Sequence, residues 1–245
     1  MNVERSLNER ESQRARRGSE GRGESRRHAR TCVGCGQRDD ATALLRIVVT
    51  EGEPVVSAQS LGSERAPSSE QTLDIAFDLA GGSFGRGAHV HATSACIEKA
   101  PRGLARAFRG AVRFGSEVIG ARLVEACDRR MGGLLLAAHR SRVLAIGADA
   151  AIEALERGAP LAVLAVDAGS VAATVEIERC VAAGRAMAWR TRSELGSLLG
   201  ERSVAICAVR HAGIAAELKR MRAAADAGAA AKREGAECSR FPEAR

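Results

Sequence analysis

Near the start of this chain, Cys32 and Cys35 form a Cys-x-x-Cys pair, and His89, His91 and Cys96 follow further along. Three thiols and an imidazole are the donor set of a structural zinc site, which closes a small fold by holding four side chains tetrahedrally. The first pair has knuckle spacing. The second half, His91-x4-Cys96, is not a standard finger pairing, so ordinary buried thiols compete as a reading of the same residues. A thioredoxin-like redox pair fits poorly, because no βαβ pattern surrounds Cys32. The candidate ligands are Cys32, Cys35, His91 and Cys96, with His89 as the alternative histidine. Cys127, Cys180 and Cys207 lie on periodic apolar segments and read as core.

Arginine is the second chemistry. Of 37 basic residues only Lys99, Lys219 and Lys232 are lysine, and the net charge is +7. GC-rich coding explains such a bias as readily as function does, but the guanidinium fork is also the side chain best suited to phosphate. Residues 31–83 hold three bases and eight acids, whereas 84–115 hold six bases and one acid. Arg102, Arg106, Arg109 and Arg113 recur at steps of four, three and four. On a helix these fall within roughly 60° of one another. Glu98 is the only acid nearby, so a solvated face and a phosphate-binding face are the two readings. Arg86 sits between Gly85 and Gly87, both free to adopt positive φ, in a turn able to offer backbone N–H groups and a guanidinium to one anion.

The elements that must position these groups follow from hydrophobic period. Leu45, Ile47 and Val49 alternate with Arg46, Val48 and Thr50 as on a half-buried strand, and Ala88 and Val90 oppose His89 and His91 in the same way. A helix opened by Pro101 is expected after Cys96, with Leu104, Phe108 and Ala111 opposite the arginines. Residues 1–30 carry nine Arg against five Glu and almost nothing apolar, the composition of a disordered basic arm. A first domain spans 31–115, with a Ser-rich loop insertion at 57–72. The second domain, 116–221, alternates helix and strand, which implies a three-layer α/β/α sandwich. Residues 222–245 read as an Ala-rich charged tail without a core. The fold class is α+β. No apolar run approaches the ~18–20 residues of a membrane span, and no signal core or transit pattern is present, so a cytoplasmic protein without a membrane partner is expected.

Four ordered motifs carry a resemblance. Arg30-Thr-Cys-Val-Gly-Cys35, the strand Leu44–Val49, Gly85-Arg-Gly-Ala-His-Val90 and Cys96-Ile-Glu-Lys-Ala100 together resemble the bacterial YlxR family over about residues 30–110. The resemblance implies a small α+β RNA-binding protein, of a kind often encoded among transcription and translation genes. Its basic face would include Arg30, Arg46, Arg86 and the arginines after Cys96; the cysteines are not uniform in that family. The second domain is similar to the kink-turn-binding ribosomal protein superfamily, including YlxQ members, through Gly147–Gly158, Leu161–Asp167 and Arg192–Gly196. Such proteins bind RNA through a Gly-x-Asn-Glu-x-x-Lys helix start. Here Asp149, Ala150 and Glu153 replace the Asn, Glu and Lys, which argues against kink-turn recognition.

No Ser–His–Asp set, paired-carboxylate motif, phosphate-binding Gly-x-x-x-x-Gly-Lys or His-Glu-x-x-His is present. The expectation is a non-enzymatic protein binding structured non-coding or ribosomal RNA through the Arg-rich face, with no cofactor unless zinc. The competing expectation is a protein–protein adaptor in the transcription–translation machinery, its arginines meeting an acidic protein.

Overall fold

The computed structural model describes residues 29–51, 73–83, 85–109 and 114–240. The chain is α+β, and its described residues divide into two compact units, one of those up to 123 together with 227–240, the other of residues 124–226. The expected arm (apart from Ala29 and Arg30), the 57–72 insertion and Arg113 lie outside the described residues.

In the first unit, β1 (Ala29–Thr31) and β2 (Arg38–Asp40) form an antiparallel ribbon whose turn is the Cys32–Gln37 segment. A three-residue 3-10 turn leads to β3 (Leu44–Glu51), the centre of an antiparallel sheet ordered β4 (Leu73–Asp78), β3, β5 (Gly87–His91). The register sets Leu45 opposite Val90, and Ile47 opposite both Phe77 and Ala88. These side chains are all buried, as the alternation requires. The other face carries Arg46, Asp78, His89 and His91.

The helix after β5 begins earlier than expected. Thr93 caps α1 (Ser94–Ala107), and Pro101 lies inside it rather than at its first turn. A threonine hydroxyl at the N-cap satisfies a free N–H there, a stronger start signal than an interior proline, whose missing N–H costs one helical bond. Cys96 therefore belongs to the first turn. α1 packs against β5 and turns Cys96, Ile97, Ala100, Gly103 and Leu104 inward. It ends before Arg109, which takes φ 55°.

The unit boundaries fall inside two long helices, α2 (Ser116–Arg140) and α6 (Ala212–Arg240). The segment expected to form an unstructured tail from residue 222 is thus helical through Arg240. It packs within the first unit by small residues: a Cβ on Gly120 would overlap the Gly228 carbonyl oxygen. Small residues permit close helix approach without the large apolar side chains that mark a core in sequence.

The second unit follows the expected alternation: β6 (Leu144–Ile146), α3 (Ala148–Glu156), β7 (Leu161–Leu164), a 3-10 turn, α4 (Val175–Ala182), β8 (Ala186–Ala188), α5 (Arg192–Leu199) and β9 (Ile206–Val209). The sheet order is β6-β9-β7-β8, with only β7 and β8 parallel. Every residue of β7 and β9 is buried, so both faces of the sheet centre are covered.

Candidate metal centre and cationic face

The four candidate ligands come together. The sulfur atoms of Cys32, Cys35 and Cys96 and a ring nitrogen of His91 all lie within 4.8 Å of one another. His91 Nδ1 is 3.4 Å from Cys35 Sγ and 3.7 Å from Cys96 Sγ. Zinc bonds of about 2.3 Å to sulfur and 2.0–2.1 Å to nitrogen, arranged tetrahedrally, set a sulfur–nitrogen separation of about 3.5 Å. The spacing therefore suits a tetrahedral ion, and the cluster could hold a metal.

Local structure explains the convergence. The Gly36 N–H donates to the Cys32 carbonyl at 2.9 Å, closing the knuckle turn, and the Val33 N–H donates to the His89 carbonyl at 2.8 Å. The second bond fixes the knuckle beside β5. Two glycines then let it sit against α1, because a Cβ on Gly34 would overlap the Cys96 carbonyl and one on Gly103 would overlap the Val33 carbonyl. Cys96 is held over this turn by the Thr93 cap.

The electrostatics favour a thiolate. Burial pushes the Cys32 thiol up, but N–H groups of Cys35, His91 and Gly34 directed at its sulfur outweigh burial and bring it from 9.0 to about 6. The Gly34 and His91 N–H groups each lie 3.4 Å from that sulfur. Cys96 moves the other way: burial raises it, and the neighbouring Cys32 charge raises it further against a lowering Thr93 contact. His91 Nε2 lies 3.4 Å from Asp39 Oδ2. A proton on Nε2 donated to that carboxylate leaves the Nδ1 lone pair facing the thiols, the outer arrangement that orients metal-bound imidazoles. Asp39 carries no spacing signal in the sequence; only the β1–β2 ribbon brings it to His91. His89 is not in the cluster. Its pKa is lowered, first by burial and then by the charges of Arg30 and Arg46.

The arginines divide. Arg102 and Arg106 are exposed on one face of α1, four residues apart, and Lys99 lies on the same face one turn before Arg102. None of the three has an ion-pair partner among the described residues. Arg109 is exposed just past the helix, and Arg86 is exposed in the turn after Gly85, whose φ is 92°. Gly87 does not use positive φ. It lies in β5, and its missing side chain leaves room for Arg46.

Arg46 itself is engaged: Nη1 donates to Asp78 Oδ2 at 3.1 Å and to the Ser83 carbonyl at 2.6 Å, while Nη2 donates to the Gly85 carbonyl at 2.8 Å. Burial raises the Asp78 carboxyl, but N–H bonds from Ser83, Gly82 and Gly81 together with the Arg46 charge hold it below its usual value. Arg46 thus anchors the loop that displays Arg86, while Arg30 is exposed on β1.

In the second unit, Asp149 is exposed at the start of α3, and Glu153 pairs with Arg157 at 2.7 Å. Trp189 Nε1 donates to Asp128, which also pairs with Arg190.

No protein-family model matches the chain, and none of the curated proteins does. Among solved structures the chain is similar to "a protein with unknown function from Bacillus halodurans C", at 25% sequence identity over 37% of this chain and 94% of that one, with a TM-score of 0.34.

Proposed function

We propose that this chain is a non-enzymatic RNA-binding protein, a YlxR-like unit joined to a kink-turn-protein-like α/β unit, acting on structured RNA of the transcription–translation apparatus in the cytoplasm. The observation that carries the reading is the α1 face: Lys99, Arg102 and Arg106 project together, exposed and without a carboxylate partner among the described residues. Unpaired guanidinium groups at helical spacing match phosphate, and each phosphate neutralised adds a counterion-release contribution that weakens with salt. Arg86 and Arg109, both exposed off the helix, would add to this charge, and Arg46 holds the loop that carries Arg86. A zinc ion held by Cys32, Cys35, His91 and Cys96 would fasten the knuckle to the first turn of the same helix.

Filter binding of the full chain to a labelled RNA hairpin, at two salt concentrations, tests this. Replacing Arg102, Arg106 and Arg109 by Ala is expected to weaken binding about tenfold or more, equally across sequences, and to flatten the salt dependence by about two units of slope. Undiminished RNA affinity in that variant excludes α1 as the contact surface.

The adaptor reading is favoured by a different observation: Val166, Val175 and Val181 of the second unit are each at least 60% exposed. Salt-insensitive behaviour of the wild-type chain toward RNA would transfer the proposal to that reading.

A further inference from the structure

Among the described residues, the non-glycine positions with positive φ are Arg109, Arg142 and Arg190, all arginine. Left-handed backbone is disfavoured for any side chain with a Cβ, so a non-glycine residue held in it prompts the question of what the side chain gains. Arg190 has an internal explanation: it pairs with Asp128 and stacks 4.4 Å over Trp189. Arg109 lies exposed just past the end of α1, beside the arginines already described. Arg142 has neither explanation.

Arg142 follows α2 in a Schellman turn. Its N–H donates to the His139 carbonyl at 3.0 Å, and the Val143 N–H donates to the Ala138 carbonyl at 3.0 Å. The left-handed position of that turn ordinarily takes glycine. A cation near a helix C-terminus is favourable through the dipole, but Arg140 in the last turn already supplies one.

Arg210 stands next to Arg142. β6 and β9 pair Leu144 with Val209, so the residues just outside that pair meet at one end of the sheet. The Arg210 N–H donates to the Val143 carbonyl at 2.8 Å, and its Nη2 lies 3.4 Å from the Arg142 carbonyl. Arg140, Arg142 and Arg210 are all exposed, and none has an ion-pair partner among the described residues. Glu153, which shares a hollow with Arg210, is taken by Arg157. This end of the sheet is opposite the start of α3, since Gly147 bonds to Ile206 at the far end of β9.

We propose that Arg140, Arg142 and Arg210 form a second phosphate-binding surface, through which the second unit contacts RNA. RNA is favoured over an acidic protein because the exposed residues flanking the cluster (Ala137, His139, Ser141, His211, Ala212) include no large apolar side chain to form an interface centre. Asp149, at the start of α3, lies toward the opposite end of the sheet, and Glu153, which shares the hollow with Arg210, is paired with Arg157. The surface adds to the α1 reading and does not depend on it.

The test uses the full chain, a 5′-labelled RNA hairpin and a poly-glutamate competitor. Substituting Arg140→Ala, Arg142→Gly and Arg210→Ala together is expected to lower RNA affinity about tenfold and to make the salt slope shallower by about two. Arg142→Gly alone is expected to weaken RNA binding while holding or raising the unfolding midpoint, because glycine suits the left-handed position. A purely structural Arg142 would lower both. Unchanged affinity and slope in the triple variant would overturn the proposal, as would loss of poly-glutamate binding without loss on RNA. Measuring the α1 variant in parallel separates the two surfaces: loss in only one of them assigns binding to that unit, and a wild-type chain without salt-sensitive RNA binding overturns both.

Discussion

At the scale of single residues, the Cys32, Cys35, His91 and Cys96 cluster, which could hold a metal ion, is shaped by groups outside it. Asp39 Oδ2 lies 3.4 Å from His91 Nε2, so a proton held there would leave Nδ1 to face the thiols. Removal of such an outer carboxylate ordinarily costs about 10–100-fold in metal affinity. Asp39→Asn is therefore expected to weaken zinc binding about tenfold in competition with a chromogenic chelator, whereas Cys35→Ser removes a ligand and should abolish tight binding. Equal affinity of Asp39→Asn and wild type would show that the histidine is oriented by other contacts.

The pH dependence follows from the thiols. Cys32, brought down to about 6, is a thiolate at pH 7, whereas Cys96, pushed up by burial, must lose its proton when metal binds. Affinity should thus rise with pH through neutrality. Below about pH 6 Cys32 is protonated too, so the slope of log affinity against pH should steepen by about one there. A slope that stays constant across pH 6 would mean that Cys32 titrates elsewhere. The four clustered residues were nameable from residue type and the Cys32–Cys35 spacing, although the His91–Cys96 spacing left buried thiols as a competing reading. Asp39 was not nameable, because its distance from His91 in sequence is closed only by strand pairing. The role of Arg46 was hidden for the same reason: its partners lie across a loop.

At the scale of elements, the knuckle and α1 act as one piece because two glycines bring their backbones into contact. A Cβ at Gly103 would overlap the Val33 carbonyl, a rigid backbone atom. Overpacking of this kind costs about 1–3 kcal/mol. Gly133 in α2 is the contrast, since a Cβ there meets nothing within 4 Å. Gly103→Ala is expected to destabilise the chain by about 2 kcal/mol in urea unfolding and to weaken zinc binding, while Gly133→Ala should stabilise by up to about 1 kcal/mol through helix propensity. If Gly103→Ala unfolds like wild type, the knuckle can move off the helix without cost. Most elements of the second unit were readable, because buried strands such as Leu161–Leu164 and amphipathic helices alternate with glycine turns. The start of α1 was not. Pro101 reads as a first-turn residue from sequence, and only the Thr93 cap reveals that the helix is already a turn and more advanced.

At the scale of the whole molecule, the first unit is assembled from both ends of the chain. Residues 227–240 of α6 belong with residues before 124, so the unit boundaries fall inside α2 and α6 and not at residues 115 and 221. This was the least legible feature, for a physical reason. The contact is made by Gly120 and Gly228, with buried Ala231 beyond them, and carries little of the large apolar periodicity that identifies a core face. Leu123, fully buried, lies against Gly228, where a Cβ would come within 3.3 Å of it. A chain ending at Asp226 removes that cover and exposes part of a core in which α2 is also tied to β4 by Arg122 and Asp74 at 2.6 Å. It is expected to unfold at a lower temperature than the full chain and to be cleaved faster near residues 114–123 by limited proteolysis. Gly228→Leu should produce the same change without truncation, because its side chain has no room against the Gly120 carbonyl. If the truncated chain keeps its unfolding midpoint and its protease resistance, residues 227–240 are dispensable to the first unit, and its core closes without the end of α6.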